Sequence, residues 1–192
     1  INSEKNMKLT WNKTIKNFKE YNIPFKQYKK NIGLPFKKIL ENLNIKKKDF
    51  YLITDKYKKN SLYYQNKIKL FKGVKKLLNK LKKNYKIALF TSKDNLRTKF
   101  LLKKFNLKFN TVIAGNDVKR GKPHPEGLRK IIKQLNYNKN SIFYVGDTIY
   151  DYECSKKINI KYIHVNWGFE KISKKKNITF LNKLEELDKF LL

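Results

Sequence analysis

From residue 74 onward the chain alternates short apolar runs with amphipathic stretches four times, and that alternation leaves few folds open. Residues 74–83 carry apolar side chains at helical spacing, residues 86–90 read as a short buried strand, and residues 95–105 as a second helix. Residues 111–114 give the next strand and 126–135 the next helix. Residues 141–145, 150–157 and 161–165 continue as strand, helix and strand, and 185–192 as a closing helix. Such a chain forms a parallel sheet wrapped by helices, because parallel neighbours need a crossover and the crossover helix packs back on the sheet. Sheets of this kind take their ligands just beyond the carboxyl ends of the strands.

The earlier part has a different texture. Between residues 4 and 66 no strand pattern stands out, while Trp11, Ile15 and Phe18, and then Phe36, Ile39, Leu40 and Leu43, recur three and four apart, as on one face of a helix. Asn31-Ile32-Gly33-Leu34-Pro35 interrupts the helical texture, with Gly33 suited to end one helix and Pro35 to open the next. The expected organisation is therefore an all-helical unit over residues 4–68, inserted in an α/β core made of residues 1–3 and 69–192.

A formal charge of +32 would by itself suggest nucleic acid or an anionic membrane surface. Nearly all of it is lysine, however, spread along every expected helix. The only arginines are Arg97, Arg120 and Arg129, whereas base-reading surfaces favour arginine. Lysine, asparagine, isoleucine, tyrosine and phenylalanine are enriched together, as codon bias toward A and T produces. Hydrophobic residues at 40% and aromatics at 14% exceed what a disordered charged chain contains, so the charge sits on a folded surface. No apolar run approaches the ~20 residues that span a bilayer, and a cytoplasmic protein is expected. The single cysteine, Cys154, excludes an internal disulfide and a cysteine zinc cluster, and reads as a small buried helix residue.

Three polar phrases fall just past strand ends. Thr91-Ser92-Lys93-Asp94 follows the first strand; a hydroxyl and the free N–H groups of such a turn can hold a phosphoryl oxygen, although Ser, Thr and Asp are also ordinary helix caps. Arg120-Gly121-Lys122-Pro123-His124-Pro125 lies between the second strand and its helix, and its prolines fix Lys122, whose ammonium could neutralise a transferring phosphoryl group. His124 reads as a surface turn residue and His164 as a histidine satisfied within the sheet. Gly146-Asp147-Thr148-Ile149-Tyr150-Asp151 follows the third strand. The chain has only 15 acidic residues, so two carboxylates four apart at this place call for an explanation. One can bind Mg²⁺, a hard ion satisfied by oxygen ligands and water, while the second orders a metal-bound water or the lysine.

Together these phrases resemble the haloacid dehalogenase superfamily, specifically its phosphoglycolate-phosphatase-like branch with a helical cap. That family has a Thr or Ser after its second core strand, as at Thr91. It also has a lysine in a Lys-Pro-x-Pro frame, as at Lys122, and a Gly-Asp-x-x-x-Asp phrase, as at Gly146, Asp147 and Asp151. Asn31 to Pro35 and Asn166-Trp167-Gly168-Phe169 are also similar to this branch. The resemblance implies a Mg²⁺-dependent phosphatase acting on a small phosphorylated metabolite, with Thr91 and Lys122 catalytic, Thr91, Ser92 and Lys122 binding the substrate, and Asp147 and Asp151 at the metal. It also implies a cap that closes over the site.

One departure stands out. The family's nucleophile lies in an Asp-x-Asp motif at the end of a first, central strand, shortly before a phrase similar to Ile1-Asn2-Ser3-Glu4. No such motif precedes the helical unit here. The expectation is a fragment that lacks the central strand between those ending at Phe90 and Val145, and that is inactive as given. Two non-enzymatic readings stay open: a nucleophile-free relative used for regulation or binding, and a basic nucleic-acid-binding protein.

Overall fold

The computed structural model describes residues 1–173 and 178–191. Leu192, the last residue of the expected closing helix, lies outside the described residues. The chain divides into two compact units, Ile1–Phe71 and Lys72–Leu192.

The first unit is helical: α1 (Glu4–Ile15), α2 (Phe25–Lys29), α3 (Phe36–Asn42) and α4 (Phe50–Tyr63). Its one extended contact is an antiparallel bridge between Asn2 and Lys69. Gly33 adopts φ 109°, a left-handed conformation that glycine reaches without strain, and α3 starts directly after Pro35. Trp11, Leu40 and Ile53 are fully buried, and the Trp11 ring stacks on Tyr28 at 4.6 Å. The Tyr28 and Tyr57 hydroxyls bond each other at 2.7 Å, so the polar ends of these core aromatics are satisfied.

The second unit opens with α5 (Val74–Leu81), followed by β1 (Ala88–Phe90), α6 (Asn95–Lys104), β2 (Thr111–Ile113), α7 (Glu126–Leu135) and β3 (Phe143–Gly146). It closes with α8 (Ile149–Lys156), β4 (Lys161–Val165), β5 (Thr179–Leu181) and α9 (Leu184–Leu191). The alternating α/β organisation is the expected one, with parallel pairing throughout. Two differences have local causes. The first strand begins at Ala88 because Asn110 takes over the pairing of Ile87, its N–H donating to the Ile87 carbonyl and its side-chain oxygen accepting from the Ile87 N–H. The third begins at Phe143 because residues Lys139–Ser141 form a single 3₁₀ turn capped by the Asn138 side chain.

The sheet is in two pieces. β1 pairs with β2 in one, and the order β3-β4-β5 makes the other. Among the described residues, β1 and β3 share no ladder. Helices cover both faces: Phe90, Ile113, Leu128, Ile131, Cys154 and Ile160 form one core cluster, and Leu77, Leu81, Ile163, Leu181 and Leu187 the other. Between β1 and β3 lies an apolar cavity of about 430 Å³, walled by those strands and by side chains of α5, α7 and α9. Val145, inside β3, is 37% exposed for this reason.

Candidate active site

The sequence-predicted residues gather at the carboxyl ends of β1 and β3. Thr91 follows β1 directly; its N–H donates to the Ile113 carbonyl, and its hydroxyl oxygen accepts from the Lys93 N–H at 3.2 Å. The hydroxyl hydrogen is thereby left to donate elsewhere. Half-buried Ser92 continues the turn. Asp94 is the cap of α6, accepting the Arg97 N–H at 2.9 Å and the Arg97 side chain at 2.8 Å, so the capping reading holds for that residue.

Lys122 lies in the turn before α7 and is 8% exposed. Its ammonium donates to Asp151 Oδ1 at 2.7 Å and to the Phe90 carbonyl at 3.2 Å, and it lies 4.7 Å from the Phe90 ring centre. The turn itself is held by Glu126, whose carboxylate accepts the N–H groups of Lys119 and Arg120 at 3.0 and 2.9 Å. Those two bonds lower the Glu126 carboxyl to about 2.

Asp151, on the first turn of α8, is buried and has both oxygens engaged. Oδ1 accepts from Lys122 and from the Tyr144 hydroxyl, each at 2.7 Å; Oδ2 accepts from the Thr148 hydroxyl at 2.7 Å and from the N–H groups of Thr148 and Asp147 at 3.2 and 3.3 Å. Burial acts to raise its pKa, but Lys122 and these hydrogen bonds outweigh it and the carboxyl is held below its ordinary value. Gly146 permits this approach, since a Cβ there would stand 2.5 Å from the Asp151 Cβ. Of the two tasks left open for the second carboxylate, the contacts of Asp151 are those of a partner that orders the lysine.

Asp147 has a different environment. Its Oδ2 accepts the Phe169 N–H at 3.0 Å. Its pKa is raised, first by burial and then by the nearby Asp151 charge. The helix cap here is Thr148, not Asp147, in a reciprocal arrangement with Asp151. Among the described residues no group of three or more His, Cys, Asp or Glu is placed to hold a metal ion.

Several participants were not singled out from sequence. Thr148-x-x-Asp151 has the spacing of a capping box, which would have revealed Thr148. Tyr144, whose phenol is pushed well above its ordinary value by burial and then by Asp151, carries no motif. Lys93 was read only as part of a turn, yet burial first, and then Arg97, push its ammonium down to about 8. Cys154 is fully buried in α8, as expected, and its thiol is pushed up to about 11 by burial. His164 is fully buried and hydrogen-bonded through both ring nitrogens.

The profile of the haloacid dehalogenase-like hydrolase family matches residues 1–165. The chain belongs to that family. Among curated relatives, it is 29% identical over 111 residues to pyrophosphatase PpaX of Bacillus mycoides, covering 56% of this chain and 52% of that protein. It is likewise 29% identical over 119 residues to PpaX of Bacillus thuringiensis, covering 60% and 55%. The chain thus spans about half the length of the curated relatives it matches. Among solved structures, a haloacid dehalogenase-like family hydrolase from Streptococcus pneumoniae matches with a TM-score of 0.84 at 17% identity, over 98% of this chain and 92% of that one. A candidate phosphoglycolate phosphatase from Lactobacillus plantarum also gives 0.84 at 17% identity, over 100% and 93%. At these identities the structural matches show the fold, which is that of the haloacid dehalogenase family. Among the described residues no helix is long and apolar enough to cross a membrane.

Proposed function

We propose that this chain carries most of the catalytic core of a Mg²⁺-dependent phosphatase that hydrolyses a small phosphate monoester through an aspartyl-phosphate. The observation that carries the reading is the buried Lys122–Asp151 pair at 2.7 Å, set beside Asp147 and Thr91 at the strand ends. Burying an ion pair costs several kcal/mol per charge, roughly, before it is repaid, and such a pair at a ligand-binding strand end has a task beyond stability. Held by Asp151 and the Phe90 carbonyl, Lys122 would stabilise charge developing on a phosphoryl group. The Thr91 hydroxyl and the Ser92 backbone would hold phosphoryl oxygens.

The donor set fits Mg²⁺, which binds through one or two carboxylates and keeps waters or substrate oxygens in its remaining positions. Asp147 would hold it, and when bound it would neutralise negative charge on the phosphoryl oxygens. Asp151, saturated by protein donors, would act through Lys122.

Thr91, Lys122, Asp147 and Asp151 bind, neutralise and orient; none is proposed as the nucleophile. The cavity between β1 and β3 supports a strand as the source of that group. An extended apolar segment there would gain ladder partners on both edges, and its carboxyl end would emerge between Thr91 and Asp147, where the resemblance puts the attacking aspartate. On this reading residues 1–192 have no phosphatase activity alone. Phosphoglycolate is the first substrate to try, and the PpaX relatives add pyrophosphate. The test is Asp147→Asn in a chain extended by such a strand: Mg²⁺-dependent hydrolysis of p-nitrophenyl phosphate should fall by a factor on the order of 100 or more while the fold persists. Parental rate and metal dependence in that variant would remove Asp147 from the site.

A further inference from the structure

The phrase Asn166-Trp167-Gly168-Phe169, distinctive in sequence, has entered the site so far only through the Phe169 N–H. It leaves the end of β4 and passes directly against Asp147. The Phe169 N–H donates to Asp147 Oδ2 at 3.0 Å, and the Glu170 N–H donates to the Asp147 carbonyl at 3.2 Å. The Glu170 side chain reaches across the site loop to accept the Ile149 N–H at 2.8 Å, at the first residue of α8. One segment therefore grips both the carboxylate and the backbone on either side of Thr148.

Two features keep this grip in place. Gly168 packs so closely that an added Cβ would stand 2.1 Å from the Asp147 Cβ and 2.3 Å from its Oδ2, distances no atom pair tolerates. His164, fully buried in β4, faces the Glu170 carbonyl through Nε2 at 2.9 Å. A carbonyl only accepts, so Nε2 carries the hydrogen; in the neutral ring Nδ1 then accepts from the Tyr162 hydroxyl at 3.1 Å. That hydroxyl also lies 3.2 Å from the Thr148 carbonyl, so its single hydrogen is divided between the histidine and the same loop. Among the described residues Asp147 Oδ1 takes no hydrogen bond, so the segment engages one carboxylate oxygen and leaves the other for a ligand.

We propose that residues 166–170 are the positioning element of Asp147. Gly168, the Phe169 N–H and Glu170 fix the rotamer that offers Oδ1 to a divalent cation, and His164 fixes Glu170. The inference rests on the assignment of Asp147 as the cation ligand, and the experiment separates the two. Mn²⁺ is titrated into the 192-residue chain and paramagnetic broadening of the Thr148 and Phe169 amide signals is followed; this reads cation binding without turnover. In the parent, broadening should centre on these amides and be lost in Asp147→Asn. Gly168→Ala should need about 10-fold or more Mn²⁺ for the same broadening, the range typical for partners that orient a metal ligand. Its circular dichroism should stay near the parent's, while its melting temperature should fall because the added Cβ forces the loop at Asp147 to shift. If Gly168→Ala does not fold, Glu170→Ala serves, with a weakening of several fold expected. A folded Gly168→Ala or Glu170→Ala chain that binds as the parent does, while Asp147→Asn does not bind, overturns the positioning role alone. Broadening that survives Asp147→Asn, or none in the parent, removes the cation assignment and this inference with it.

Discussion

The helical unit and the α/β unit solve the same problem unequally. A helix satisfies its own backbone, so the first unit needs only side-chain packing, and it has it: Trp11, Leu40 and Ile53 are fully buried and the tyrosine hydroxyls inside are paired. A strand must find partners on both edges. In the second unit β1 and β3 each have one among the described residues, and the space between them is a cavity of about 430 Å³ lined mostly by leucine, isoleucine and aromatic side chains. Among the described residues the helical unit meets its backbone needs locally, although the buried Thr10 hydroxyl finds no partner, whereas β1 and β3 each leave one edge without a ladder partner beside the cavity.

The largest effect is expected when a strand is supplied between β1 and β3. Adding an extended apolar strand, fused or as a peptide, should slow amide exchange in β1 and β3 by roughly 100-fold or more, and leave α1 and α4 unchanged. Equal protection in both units, or none, would refute the difference drawn between them. Next in size is Trp11→Ala, which should destabilise the helical unit by about 4 kcal/mol, read from urea dependence of exchange in α1 and α4. The α/β unit should not respond.

Asp151→Asn should cost about 3 kcal/mol in the α/β unit, because it strips the buried Lys122 ammonium of its counter-charge. The same pair gives a pH signature. The Asp151 pKa is depressed on folding, so its contribution is present above the ordinary carboxylate value and is lost as pH falls through the lowered one. Acid should therefore loosen α8 and β3 before α1 and α4, and Asp151→Asn should abolish that order. Smallest is Glu126→Gln. The Glu126 carboxyl, lowered from 4.5 to about 2 by the Lys119 and Arg120 N–H groups, keeps its grip on the turn until pH approaches about 2, and its contribution to stability is lost as pH falls between those values. The substitution should shift the Lys122 turn signals slightly at neutral pH and remove their change in that acid window.

Much of this was legible in the sequence where periodicity was long or a motif was fixed by backbone geometry. Helix 126–135 and strand 161–165 have the bounds that their apolar spacing implied, and Thr91, Lys122, Asp147 and Asp151 converge because each follows a parallel strand. β5 was missed because three residues, Thr179 to Leu181, are too few to display a period of two. Tyr144 was missed because strand alternation tells which side chains share a face but not which buried hydroxyl finds a carboxylate. The grip of residues 166–170 on Asp147 was invisible for a related reason: it is made by backbone N–H groups and by the absence of a side chain at Gly168, neither of which composition reveals.

The proposed phosphatase centre is formed by Lys122, Asp151, Asp147 and Thr91 and completed by a carboxylate on a strand between β1 and β3. It is tested most directly by p-nitrophenyl phosphate hydrolysis with Mg²⁺, comparing residues 1–192 alone, with an apolar strand peptide ending in aspartate, and with the same peptide ending in asparagine. Turnover is expected only with the aspartate peptide, and chelation or Lys122→Ala should abolish it. Metal-dependent turnover by residues 1–192 alone, or equal turnover with the asparagine peptide, would contradict it.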